Sequence, residues 1–192
     1  MRTGIPICFI RHGDRNVAPH AAVGYNIFAM AIPEELKQTV GKALGRIPSG
    51  VFILTTNGAG GPEAMMASWV QQASFDPPAV SIAVARGRPL AAAVKASGMV
   101  SISVVPEGDT SLMKKYARGM KPGENPFEGV ETFQSPRGLT VMKNALAWME
   151  GRLISSCDFG ADHELLIVQL TGGELLHHGQ AFTHQRGSGF HY

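Results

Sequence analysis

Thiols are scarce in this chain of 192 residues: Cys8 and Cys157 are the two cysteines, with no C-x-x-C pair and no zinc-ligand spacing. A disulfide framework is thereby excluded, and a reducing compartment, the cytoplasm, becomes the default. Long apolar runs are missing too. None approaches the ~20 residues that a membrane helix needs. Charge is sparse and nearly balanced, at a formal net +2. So weak a field argues against nucleic acid or an anionic membrane surface as partner. Internal repeats and low-complexity tracts are absent. His177, His178, His184 and His191 are scattered without metal-ligand spacing and read as surface residues.

What is abundant is punctuation. Twenty-three glycines and twelve prolines imply many turns, which suits short strands better than long helices. The length fits one domain with a substantial core. The first thirty residues lack a sustained period, and Arg11, Asp14 and Arg15 follow the short apolar stretch Gly4–Ile10 where a secretory signal would place small residues. Residues 1–30 therefore read as a leader and 31–192 as the folded domain.

Pro33-Glu34-Glu35 opens a helix with an apolar stripe of Leu36, Val40, Ala43, Leu44 and Ile47. Strands are expected over Val51–Thr56, Ala64–Val70, Ala79–Ala85 and Met99–Val105. Asn57-Gly58 signals the first turn. Helices are expected over Pro89–Ser97 and Asp109–Arg118, the second capped by Asp109. Pro122–Leu139 reads as an irregular excursion. Two longer strands follow, with Gly172-Gly173 turning the second into another strand. The pattern is α+β and mainly β: an antiparallel sheet that closes as a barrel to hide its edges.

Several short motifs carry chemistry. Arg11-His12-Gly13 matches the triplet of histidine phosphatases, but the βα alternation of that fold does not follow, so the match reads as coincidence. The glycines of "NGAGGP" lead into a strand, not a helix, and make no phosphate loop. Asp162-His163 stands before a strong apolar strand, where a histidine either caps backbone groups or faces a pocket as a proton carrier. Arg86-Gly87-Arg88 ends one strand and opens a helix. Guanidinium groups beside free helix N–H groups suit a phosphate, against the plainer reading of a solvated turn. Ala67-Ser68-Trp69-Val70-Gln71-Gln72-Ala73-Ser74 offers small residues on which something flat could lie, with Trp69 to cover a ring or fill a contact.

Together, "SGVFILTT", "MMASWVQQASFDPPAVSIAVARGRPL", "GMVSISVV", "DHELLIVQL" and "HQRGSGFHY" resemble the flavin reductase family, the FMN-binding split barrels. "SLMKKYARG" and "NALAWMEGRLIS" resemble in particular the C-terminal flavin reductase module of cyanobacterial diflavin flavoproteins. The resemblance implies an antiparallel Greek-key split barrel with flanking helices. It implies FMN, in preference to FAD, reduced by hydride from NAD(P)H. The segment Met66, Ala67, Ser68 and Trp69 would lie along the flavin ring, and Gln71, Gln72 and Ala73 would meet its ribityl and pyrimidine side. Ala85, Arg86, Gly87 and Arg88 would hold the phosphate, and His163 would stand near the nicotinamide. Gln71 and Gln72 depart from the Ser or Thr common in the family. The arginines replace a serine-rich phosphate turn. A homodimer is implied, with a separate electron acceptor such as a diiron protein or a monooxygenase. An electron-transfer or flavin-carrier protein without efficient NAD(P)H oxidation is the alternative.

Overall fold

The computed structural model of the chain describes residues 33–120 and 123–190. The expected leader over residues 1–30, with its Arg11-His12-Gly13 triplet, lies outside them, as does His191.

Proline and two carboxylates start α1 (Glu34–Leu44). Strands β1 (Ser49–Gly50), β2 (Phe52–Gly58) and β3 (Gly61–Ala67) follow. The β2–β3 turn is centred on Ala59-Gly60, two residues beyond Asn57-Gly58, because Asn57 and Gly58 are still paired to Pro62 and Gly61. Then come β4 (Val70–Phe75), β5 (Pro78–Ala85) and α2 (Pro89–Ser97), which has proline in its first turn and stops at Gly98 with φ +73°. After β6 (Met99–Val104), Asp109 caps α3 (Thr110–Tyr116) by accepting from the backbone N–H groups of Ser111 and Leu112. The excursion holds a small hairpin of β7 (Thr132–Gln134) and β8 (Thr140–Met142). Long strands β9 (Ala147–Cys157) and β10 (His163–Leu175) lead to β11 (Thr183–His184), which pairs with β1.

Two sequence expectations are corrected. The strand expected over Ala64–Val70 is two strands, β3 and β4, separated by Ser68 and Trp69. The expected turn at Gly172-Gly173 is a continuous stretch of β10. A Cβ at Gly173 would lie 2.6 Å from the Trp148 carbonyl oxygen, and one at Gly172 would lie 3.1 Å from a Glu150 carboxylate oxygen. Those glycines answer to the closeness of β9, at a register shift between Leu170 and Gly172.

The seven-stranded sheet runs β3-β2-β6-β9-β10-β5-β4, every described pairing antiparallel. Its two edge strands, β3 and β4, are consecutive in the chain and joined by Ser68 and Trp69 alone. A linker that short spans at most ~10 Å, so the two edges must meet and the sheet must curl into a split barrel. The Ala83 N–H donates to the Trp69 carbonyl at 3.0 Å, which carries the β4–β5 ladder one residue into that linker.

Alternation then sorts the side chains. Leu54, Val70, Ile82, Val84, Val100, Ile102, Leu166 and Val168 point into the barrel, and Leu90, Ala91 and Val94 of α2 plug it. A second cluster, with Ile53, Val105, Leu112, Tyr116 and Met142, covers the outside of β2 and β3 beneath α3 and the excursion. The outer face of β4, β5 and β10 carries half-buried Ser81, Ala83, Ala85, His163 and Leu165 instead. Helix α1 uses its glycines rather than its apolar stripe for packing: Gly41 and Gly45 are buried while Leu36 and Ile47 stay 48% and 60% exposed.

The plug is tied to the wall by Lys95 of α2, whose ammonium pairs with the buried carboxylate of Glu164. Lys95→Met strands that carboxylate, and we expect it to lower unfolding free energy by about 1–2 kcal/mol in urea titration. The double variant Lys95→Met/Glu164→Gln should recover part of the loss, because the stranded charge is removed.

Candidate functional site

Strand β5 sets out the site by its period of two. Ser81, Ala83 and Ala85 face outward in a strip of small side chains. Four steps at about 3.3 Å carry that lane roughly 13 Å from Ser81 to Ala85. At one end lies the turn Arg86-Gly87-Arg88, where Gly87 adopts φ +78° and lets the chain pass into α2. The other end, at Ser81, faces Gln71 of β4, and Trp69 at the seam lies beside Ala83.

The two arginines of the turn differ. Arg86 is tied to the loop between β9 and β10: its guanidinium pairs with the Asp158 carboxylate, and its N–H donates to the Asp162 carbonyl at 2.9 Å. Arg88 has no side-chain hydrogen bond or ion pair among the described residues. Its guanidinium reaches toward Gly119, lying 3.5 Å from where a Cβ there would stand. Arg88 is therefore the cation available to a phosphate at this corner.

His163, first residue of β10, stands opposite Ala85. Its Nδ1 is 3.0 Å from the Asp162 carboxylate, which places the proton on Nδ1 and leaves Nε2 as the other face of the ring. Hydrogen bonding to His163 holds the Asp162 carboxyl below the usual carboxylate range. That contribution is fully present above the ordinary value of about 3.9 and is lost only as pH falls through the lowered one. The His163 ring packs against Trp69 with centroids 4.7 Å apart at 41°. The Arg186 guanidinium lies over the other partner's ring, 5.0 Å from the Trp69 centroid.

Beside this stack opens a cavity of about 580 Å³, lined by Ile47, Trp69, Gln71, Ser81, Leu165 and Arg186 among others. Of the expected site residues, the structure thus gathers Trp69, Gln71, Ala85 and His163 along one wall, with Arg88 at its end. It separates others. Met66 packs on the α3 side of β3, and Ala67 points into the barrel core. Gln72 donates to the Ser74 carbonyl at 3.3 Å, and the β4–β5 register shifts at Ala73. Ser68 Oγ is buried with no hydrogen-bond partner, an orphan polar atom at the seam.

Sequence reasoning missed Ser81, Ala83, Asp158, Asp162 as a partner of His163, and Arg186. Alternation in "AVSIAVA" could have found the first two. Nothing local announces Arg186, which reaches Trp69 from 117 positions away. Among the described residues no three His, Cys, Asp or Glu side chains are grouped to hold a metal ion, and no helix is long and apolar enough to cross a membrane.

An orphan hydroxyl, a lane of alanines and an unpaired guanidinium fit a flat, phosphorylated cofactor. Comparison with known proteins agrees. The family model for the flavin reductase like domain matches residues 44–190. Diflavin flavoprotein A 1 of Synechocystis is 32% identical over 175 residues, covering 88% of this chain and 30% of that protein. The chain therefore spans about a third of the length of that relative. Among solved structures, the NADH:FAD oxidoreductase SgcE6 of Streptomyces globisporus C-1027 superposes with a TM-score of 0.69 at 22% identity, covering 76% of this chain and 86% of that one. A homolog of nitrilotriacetate monooxygenase component B from Mycobacterium thermoresistibile gives 0.70 at 23%, covering 81% and 86%. These likenesses establish the split-barrel fold.

Proposed function

We propose, because this chain belongs to the flavin reductase-like domain family, that it is an NAD(P)H-dependent flavin reductase whose flavin-binding unit is residues 31–192. The observation that carries the reading is the outer lane of β5, with the uncommitted Arg88 at one end and the seam residues Trp69 and Ser68, whose hydroxyl is an orphan, alongside it. FMN is the flavin we favour, since its single phosphate suits the single uncommitted guanidinium at the corner. The electron donor is NADH or NADPH. The acceptor is a separate diiron protein or monooxygenase, or free flavin, in the cytoplasm. The working unit is a homodimer, supported by the exposed Leu44 and Ile47 beside the site.

Bound there, a flavin would supply the two-electron and one-electron chemistry that no side chain here offers. The protein's part is placement. Arg88 and the Leu90 N–H, the first that α2 has to offer after Pro89, would hold the phosphate. Ala83 and Ala85 let a ring approach the backbone closely. Ser68 Oγ offers a hydrogen bond at the seam. Trp69 and His163 wall the space where a nicotinamide stacks, and Asp162 keeps the imidazole oriented.

The deciding experiment mixes flavin-loaded protein with NADH and with NADPH under anaerobic conditions and follows the flavin absorbance. Bleaching by either donor supports the reductase. Persistent colour with both leaves an electron-transfer or flavin-carrier protein. His163→Ala should lower kcat/KM for the donor by about tenfold or more. Asp162→Asn should act in the same direction with a smaller effect, while flavin affinity holds. Unchanged kinetics in His163→Ala would return that residue to a structural role.

A further inference from the structure

The cavity beside Trp69 shares Ser81 and Ala83 with the β5 lane, so it is part of the flavin site. Much of its remaining lining comes from two segments outside the barrel. Leu44, Ile47 and Pro48 stand at the close of α1, and Arg186 and Gly189 belong to the tail after β11. These segments pack on each other and not into the core. Gly41 and Gly45 of the helix and its cap are buried, yet no apolar side chain of residues 34–50 or 183–190 is. Backbone joins the two. The Gly189 N–H donates to the Gly41 carbonyl at 2.7 Å, and the Arg186 N–H donates to the Gly45 carbonyl at 3.3 Å.

Glycine makes that packing possible. Gly41 and Gly45 lie on one face of the helix and form a bed for the tail. A Cβ at Gly45 would lie 2.5 Å from the Arg186 carbonyl oxygen and 3.1 Å from the Ser188 nitrogen. One at Gly189 would lie 2.2 Å from the Leu44 Cβ. At Gly41 the nearest atoms, at 2.9 Å, belong to the side chains of Phe190 and Ser188. Both segments leave the barrel at one point. The Val105 N–H donates to the Val51 carbonyl at 3.0 Å, and the Phe182 N–H donates to the Val105 carbonyl at 2.9 Å. Val51 and Val105 are buried. Beyond them β1 pairs with β11, Ser49 opposite His184 and Gly50 opposite Thr183. The far part of this unit touches the barrel wall where Arg186 lies over Trp69.

We propose that α1 and residues 183–190 form a strap across the flavin cavity, and that flavin enters and leaves as the strap swings open about Val105 while the barrel stays folded. The proposal rests on the flavin reading of the β5 lane. A segment with few buried apolar contacts opens at a cost well below that of global unfolding. The closed strap walls the cavity and the open one does not, so bound flavin favours the closed state in return. Gly45 is then a positioning residue: it touches no flavin, but it lets the wall seat. Its φ of −62° is ordinary for any residue, and alanine would favour the helix there. Only the tail objects to a methyl group at that position.

FMN release on dilution, followed by flavin fluorescence, tests this in wild type, Gly45→Ala, Gly41→Ala and Gly187→Ala, beside the urea midpoint of each. We expect Gly45→Ala to release FMN about tenfold faster or more, the range for forcing a Cβ into a filled site, with the midpoint unchanged. Gly41→Ala should fall between, because the side chains of Phe190 and Ser188 can give way. Gly187→Ala, in the same tail with nothing within 4 Å of its Cβ, should match wild type. Hydrogen exchange of the wild type should be faster in α1 and the tail than in β5 and β10, and should slow there when FMN binds. Wild-type release from Gly45→Ala, or faster release only with a matching fall in the midpoint, overturns the strap. So does equally fast release from Gly187→Ala, or exchange in α1 and the tail as slow as in β5. If wild type binds no FMN, the flavin reading itself falls and takes the strap with it.

Discussion

Arg88→Ala is expected to bind FMN roughly tenfold to a hundredfold more weakly than wild type, the range for loss of charge-assisted hydrogen bonds to one phosphate. The chain should fold as before. Arg88 is exposed, and no described residue depends on its guanidinium for an ion pair. Its backbone carbonyl accepts from the Ala91 N–H at 3.1 Å, a bond the alanine keeps. Arg86→Ala makes the informative contrast. Arg86 is already paired with Asp158, so its loss should slacken the loop between β9 and β10 more than it weakens FMN binding. Isothermal titration with FMN and with riboflavin separates the cases. A phosphate contact predicts that Arg88→Ala costs affinity for FMN and almost none for riboflavin. Equal FMN affinity in Arg88→Ala and wild type would remove Arg88 from the site.

Gly151→Val should have the largest effect on folding. Gly151 lies in β9, paired to Val100 on one side and Leu170 on the other. A Cβ there would collide with the Gln169 carbonyl oxygen and lie 2.6 Å from a Val168 methyl. Backbone on an inner strand cannot step aside, since both neighbours are hydrogen-bonded. Overpacking of a tight site costs about 1–3 kcal/mol and sometimes more, and a β-branched residue against a carbonyl belongs at the upper end. Total stability of a domain is only about 5–15 kcal/mol. We therefore expect a marked drop in the urea midpoint and in soluble yield. Gly60→Ala is the control, because its Cβ would meet nothing within 4 Å. Equal midpoints for Gly151→Val and wild type would mean that β9 and β10 have more slack than their spacing allows.

Local signals were legible in the sequence wherever one physical cause dominated. Pro89 and Gly98 bracket α2, Asp109 caps α3, and β-branched runs mark β2, β5 and β6. The break at Ser68-Trp69 was hidden because apolar residues flank it on both sides, and only the closure of the sheet forces a corner there. Gly172 and Gly173 looked like a turn because glycine has two uses; the proximity of β9, a tertiary fact, decides between them. Around the site, the resemblance pointed to the turn Arg86-Gly87-Arg88 and to Ser68 and Trp69, and alternation along β5 would have supplied the lane. The split of duties between Arg86 and Arg88 needed Asp158, 72 positions away. Arg186 depended on a bed of glycines in α1 that reads, in sequence, as a flaw in an amphipathic helix.

The junction at Ser68-Trp69 also constrains how the chain finds its fold. The β2–β3 and β4–β5 hairpins are local and can form within microseconds. Each supplies one outer margin of the finished sheet, and the two are tethered by a pair of residues from the start. Strands β6, β9 and β10 must then enter between margins already held together, and the contacts they make span long separations in sequence. Assembly resembles filling a clasp rather than zipping a ribbon from one end, and its slow step is the arrival of β9 and β10.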